Sequence, residues 1–145
     1  MKYRIRILCL LGFVFLVVGV LSLKAGQEGW FANPSPLELD SQPVLLFFTL
    51  SDGCVCQMKI IGSAASQIAF WEPPNHPDIN IMWIYFDQEP EIVKYYHVER
   101  APTIVLLDSD GEVYWMQGEL QLEGQPFDMA EIEEQVESLL AREGR

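Results

Sequence analysis

The sequence predicts an α/β sandwich, a mixed central sheet with an antiparallel edge hairpin, preceded by an N-terminal transmembrane helix. Three observations predict it. Short apolar runs of strand length alternate with stretches of helical period. Towards the end that alternation gives way to two strands joined by Asp108-Ser109-Asp110-Gly111, residue types that suit a hairpin turn. Ahead of everything lies an unbroken apolar stretch from Ile7 to Leu23.

That stretch is 17 residues long and follows Lys2, Arg4 and Arg6. A basic flank before an apolar run is the signature of a secretory signal or a signal anchor. Its length sits at the bottom of the spanning range of about 17–25 residues. No Ala-x-Ala cleavage site follows, so an uncleaved anchor over residues 1–24, crossing the membrane through residues 7–23, is favoured over a cleaved leader and secretion. Cys9 lies inside the run and reads as an apolar membrane residue.

Charge supports the same topology. Four of the nine basic residues lie at or before Lys24, leaving five to face all 21 acidic ones in the remainder. Positive charge on the short N-terminal flank keeps that end in the cytoplasm and sends the acidic remainder to the extracytoplasmic side. So acidic a surface excludes nucleic acid and anionic lipid as partners. A compartment outside the cytoplasm is also one in which disulfides persist.

Residues 25–42, with Gly, Asn, Pro, Ser and Gln and little periodicity, predict a tether. The domain then occupies residues 43–142. Val44 to Leu50 is a continuous apolar run, as in a strand covered on both faces. From Met58 to Trp71 the apolar positions Met58, Ile61, Ala65, Ile68 and Ala69 recur at helical spacing, and Pro73-Pro74 ends the helix. Ile79 to Phe86 is rich in β-branched and aromatic residues and predicts a second strand.

Asp87 is placed to cap a short helix from Gln88 to Tyr96, with Pro90 tolerated in its first turn. Thr103 to Leu107 is the third strand, and Glu112 to Met116 returns antiparallel after the turn. From Asp128 to Arg142 a helix places Met129, Ile132, Val136, Leu139 and Leu140 on one face, with Asp128 as its cap. Two strand–helix–strand connections predict two parallel pairings.

The chemistry concentrates in Asp52-Gly53-Cys54-Val55-Cys56-Gln57, between the first strand and the first helix. Thiols at a helix N-terminus meet unpaired N–H groups and the positive end of the dipole, which favours a thiolate. Such a pair permits thiol–disulfide exchange or soft-metal binding. A disulfide wants Cα atoms about 4.4–6.8 Å apart, which residues i and i+2 reach in a turn with little dihedral freedom. The resulting bridge would be strained and comparatively oxidising.

The order of elements, the dithiol after the first long strand, Tyr96-His97-Val98-Glu99-Arg100-Ala101-Pro102-Thr103 and the hairpin after it resemble a thioredoxin. The resemblance spans about Val44 to Leu140. It implies a thioredoxin-like three-layer sandwich, a cis peptide bond before Pro102, and a substrate chain held by the backbone at Ala101 and Pro102 beside the dithiol. The chain departs from the family motif Trp-Cys-Gly-Pro-Cys-Lys. In an ungapped alignment Cys56 falls on the second family cysteine and Gly53 on the first, while Asp52 replaces the aromatic residue and Phe47 the buried acid. Asp52 beside Cys54 is expected to raise the thiol pKa by repulsion, and Arg100 to offset it by approaching the dithiol.

The leading functional expectation is a monomeric, membrane-tethered thiol–disulfide oxidoreductase needing no cofactor and acting on protein thiols and disulfides. In it Cys54 makes contact and Cys56 resolves, although the alignment also allows the reverse. A second is Cu(I) binding or delivery by Cys54, Cys56 and His97, since two thiolates and an imidazole suit that ion. His76 is a further imidazole in the Pro-rich loop. A third is a redox-inert binding module on the same scaffold.

Overall fold

A computed structural model describes residues 35–71, 78–120 and 124–144. The expected anchor, Cys9, His76 and the Pro73-Pro74 helix stop lie outside the described residues. Among the described residues no helix is long and apolar enough to cross a membrane. The elements run β1 (Val44–Thr49), α1 (Val55–Trp71), β2 (Asn80–Tyr85), α2 (Pro90–Tyr95), β3 (Thr103–Leu107), β4 (Val113–Gly118) and α3 (Met129–Glu143). The described sheet has four strands in the order β2-β1-β3-β4.

Every residue of β1 is buried, which follows from its uninterrupted apolar run and its place between β2 and β3. Alternate side chains go to opposite faces. Leu45 and Phe47, with Ile104 and Leu106 of β3, pack with Ala64, Ile68 and Trp71 of α1 and Ile132, Val136 and Leu139 of α3. Val44, Leu46 and Phe48, with Val105 and Leu107, pack on the other face with Tyr96, Val98 and the half-buried Ile92 and Val93 of α2. Helices thus cover both faces, giving the three layers implied by the resemblance. Burial of each such large side chain stabilises the fold by about 1.5–3 kcal/mol. Phe47 meets Trp83 and Phe127 edge-on, with ring centroids 4.8 Å and 6.0 Å away.

The pairing corrects one expectation. β1 and β2 are parallel, but β3 runs antiparallel to β1, with Phe48 opposite Thr103 and Val44 opposite Leu107. Helix α2 explains why. Its six residues rise only about 9 Å, half the length of a six-residue strand, so the chain re-enters the sheet at the end it left. The β1–α1–β2 connection, with 17 residues of helix, carries the chain back along the sheet and gives the parallel pair.

Two boundaries also move. Asp87 does not cap α2; Glu89 occupies the N-cap position without a side-chain cap bond. Strand β4 continues to Gly118, beyond the apolar stretch, because the buried Gln117 lies opposite Ile104. Its amide donates to the Glu131 carboxylate at 2.7 Å and its carbonyl accepts the Asp128 N–H at 3.0 Å. Buried polar atoms paired in this way cost little. Asp128 caps α3 as expected, accepting from the N–H groups of Ala130 and Glu131.

The folded unit begins before the expected boundary at residue 43. Leu37 and Leu39 pack against the α2 face of the sheet, and the Ser35 and Tyr96 hydroxyls are 3.0 Å apart. Leu39 also reaches the β3–β4 turn. There the Asp108 carboxylate accepts from the N–H groups of Asp110 and Glu112, and Gly111 takes a φ of +83°. A Cβ on Gly111 would lie 2.9 Å from Leu39 Cδ1. Two costs therefore meet at one contact. Leu39→Ala should cost about 1–2 kcal/mol, below the range for a fully buried Leu. Gly111→Ala should cost more than the roughly 1 kcal/mol of left-handed strain alone. Urea unfolding of the two variants checks this; wild-type midpoints for both would show that residues 35–42 are only a tether.

Candidate functional site

Helix α1 starts at Val55, three residues before the apolar periodicity begins. Cys54 is therefore its N-cap, and its carbonyl accepts the first helical bond from the Met58 N–H at 2.9 Å. Two further bonds lock this turn. The Gln57 N–H donates to Cys54 Sγ at 3.4 Å, and the Cys54 N–H donates to Gln57 Oε1 at 3.2 Å. This is the reciprocal arrangement of a capping box, with a thiol in place of the usual hydroxyl. Cysteine is not among the favoured cap residues, so residue type alone did not mark Cys54 as the cap.

Both sulfurs are free and exposed. They are not equivalent. The neighbouring Cys56 thiol, and next the Gln57 N–H, hold Cys54 below the ordinary thiol pKa. The Cys54 sulfur in turn pushes Cys56 up, assisted by desolvation and by the charge on Cys54. No acidic residue stands in the first turn of α1, so the positive end of its dipole also remains available to a thiolate. Val55 between them is 90% exposed.

The loop leading to Cys54 is tied down from a distance. The Ser51 N–H donates to the Asp87 carboxylate at 2.9 Å, and the Ser51 hydroxyl donates to its other oxygen. These two bonds hold the Asp87 carboxyl below its usual range, hydroxyl first and N–H second. Asp87 thus serves the dithiol loop, 36 residues away in sequence, and not the start of α2.

The register places the second expected part of the site. Thr103, the first residue of β3, lies opposite Phe48 near the end of β1. The turn that carries the thiols and the Ala101–Pro102 segment accordingly leave neighbouring strands at the same end of the sheet. The Ala101–Pro102 bond is cis, Pro102 is buried and Ala101 half-buried. The Thr103 hydroxyl donates to the Arg100 carbonyl at 2.8 Å and closes this bend.

Asp52, Arg100 and His97 behave differently from expectation. The Asp52 carboxylate accepts the Gly53 N–H at 2.8 Å. The Arg100 guanidinium donates to the Glu119 carbonyl at 3.4 Å, beyond the end of β4. Neither is among the causes that shift either thiol. The perturbation comes instead from the partner thiol and the helix N–H. His97 is exposed, with a left-handed φ of +54° and its N–H on the Lys94 carbonyl. Among the described residues no three His, Cys, Asp or Glu side chains are gathered for a metal ion.

Gln57 and Ser51 were not singled out by the sequence, and Asp87 was read only as a helix cap. The Cys-x-x-Gln spacing carried a signal for Gln57, since it matches a capping box once a thiol is admitted as the cap. Nothing local marked Ser51 and Asp87.

No protein-family model matches the chain, and no curated protein matches its sequence. Solved structures do resemble it. The Trxlp protein of Edwardsiella tarda is 16% identical, with 65% of this chain and 82% of that one covered and a TM-score of 0.49. A mutant thioredoxin of Halobacterium salinarum is 22% identical, with 69% and 76% covered and a TM-score of 0.47. Thioredoxin of Trypanosoma brucei brucei is 17% identical, with 70% and 77% covered and the same TM-score of 0.47. The three-layer α/β architecture of this chain is read from its own strand order, layers and element sequence.

The opposite shifts of the two thiols give an expected order of reaction. Lowering of Cys54 means that its thiolate is already present at a pH where Cys56 is still protonated. Alkylation of the reduced protein with iodoacetamide, resolved by peptide mass spectrometry, should label Cys54 first as pH rises. Simultaneous labelling, or Cys56 ahead of Cys54, would contradict the opposite shifts.

Proposed function

We propose that this chain is an exported, membrane-tethered thiol–disulfide oxidoreductase that exchanges disulfides with protein substrates through Cys54 and Cys56. The observation that carries the reading is a pair of exposed thiols at the N-terminus of α1, the Cys54 sulfur resting on the Gln57 N–H and the two thiols shifted in opposite directions. Exchange needs a ready thiolate and a protonated thiol held in reserve. The tether follows from the basic flank and the apolar stretch over residues 7–23, and the extracytoplasmic side from the one-sided charge.

The Cys54 thiolate attacks one sulfur of a substrate disulfide. A new S–S bond forms, the substrate bond breaks, and the departing sulfur takes a proton. Cys56 gives up its proton and attacks the mixed disulfide at Cys54, closing the Cys54–Cys56 bridge and releasing the second substrate thiol. The substrate disulfide gains two electrons and the dithiol loses them; run backwards, the same steps deliver a disulfide. In either direction the backbone at Ala101 and Pro102, at the same end of the sheet, is suited to pair with an extended substrate segment.

The test is unequal loss in two variants. Cys56→Ser should accumulate covalent adducts with a disulfide-bonded substrate, because the resolving thiol is gone. Cys54→Ser should capture none. Turnover should fall by at least about a hundredfold in both, in line with loss of a nucleophile. Adducts in Cys54→Ser alone would reverse the two roles. Exchange by the wild type no faster than free cysteine would leave an inert binding module.

A further inference from the structure

We propose that Gln57 is a positioning residue for the dithiol, holding the Cys54 sulfur on the helix N-terminus through its side-chain amide. The inference rests on the reading of Cys54 as the attacking thiol and adds to it a residue with no sulfur or proton chemistry of its own.

The geometry is a closed ring. The Gln57 backbone N–H donates to Cys54 Sγ, and the Gln57 side-chain carbonyl oxygen accepts the Cys54 N–H. The first bond stabilises a thiolate. The second fixes the backbone of Cys54, and hence the direction of its Cα–Cβ bond, from which the sulfur reaches the Gln57 N–H. Without it, Cys54 keeps the Met58 N–H on its carbonyl but its own N–H loses its acceptor, at the end of an exposed turn tied to the rest of the fold at Ser51 and Asp87, three residues earlier. The sulfur would then rotate away from the N–H and into water.

Gln57 also fits closely behind the turn. A Cβ on Gly53 would lie 3.2 Å from Gln57 Oε1, so the amide oxygen occupies the space that glycine leaves. Gly53 thus makes room for the side chain that braces Cys54. An uncharged amide suits this place better than a carboxylate. Glutamate would accept the same N–H yet set a negative charge against the thiolate.

Several titratable or charged groups share this region. Cys56 and Lys59 lie on α1, Asp52 on the preceding turn, and Asp87 behind Ser51. None is altered by changing Gln57 to methionine, which keeps length and flexibility and removes the acceptor.

The experiment compares full-length reduced wild type with Gln57→Met. The readout is the pH profile of iodoacetamide alkylation at Cys54 and Cys56 separately, by peptide mass spectrometry. Loss of one cap bond should lower the Cys54 rate near neutral pH about three- to tenfold and move its midpoint to higher pH. Ser63→Ala, at a half-buried position farther along α1, should leave the profile unchanged. An unshifted Cys54 midpoint in a folded Gln57→Met protein would overturn the proposal. So would an equal loss of rate at both cysteines with no shift in either midpoint, which is the mark of a merely frayed helix. Because alkylation needs no disulfide substrate, these outcomes stand apart from the exchange assay. Gln57 can fail while exchange holds, and exchange can fail while Gln57 is confirmed.

Discussion

The arrangement at the dithiol depends on β1 being buried on both faces. A strand with no exposed residue cannot shift its register without moving three layers of packing, so its C-terminal end is a fixed point. The chain leaves that point, makes one exposed turn, and enters α1, whose inner face is held on the same core by Ala64, Ile68 and Trp71. Strand end and helix are both anchored, and Cys54 lies between them. β3 pairs directly with β1, so the segment containing Pro102 inherits the same fixed reference.

Upon this frame the electrostatics are local and small in number. Asp52 and Arg100 are not among the causes that shift the sulfurs; the Asp52 carboxylate accepts the Gly53 N–H and the Arg100 guanidinium donates to the Glu119 carbonyl. What remains is the helix end and the pair itself. A thiolate at the N-cap replaces a hydroxyl oxygen as acceptor for an unpaired N–H, and the neighbouring thiol lowers it further while being raised itself. The two sulfurs are thereby made unequal. Val55, exposed between them, leaves the pair open to a macromolecular partner.

The layers and most elements were legible in the sequence because apolar period reports burial directly. β1, α1, β3 and α3 all carry it. The direction of β3 was not legible, because it depends on the length of α2, and Glu89 rather than Asp87 turned out to begin that helix. β4 was read short because Gln117 looks like a surface residue until its partners on α3 are seen. Within the site, the thiols and Pro102 were found from spacing and order. Asp87 was not, since its contact with Ser51 is made by strand pairing and leaves no local mark. Residues 35–42 looked like linker because Leu37 and Leu39 alone make too few apolar positions for a period.

The central claim is that this helix end stabilises the reduced pair through its thiolate. Its most direct test is the reduction potential of Cys54–Cys56, measured by equilibrating the full-length chain in glutathione buffers and resolving the cysteines by mass spectrometry. A stabilised thiolate makes a dithiol harder to oxidise and its disulfide a better oxidant. The account predicts an intramolecular bridge with a potential above the value of about −270 mV typical of thioredoxin. A potential below that value, or glutathione adducts on both sulfurs with no bridge at any buffer ratio, would contradict it.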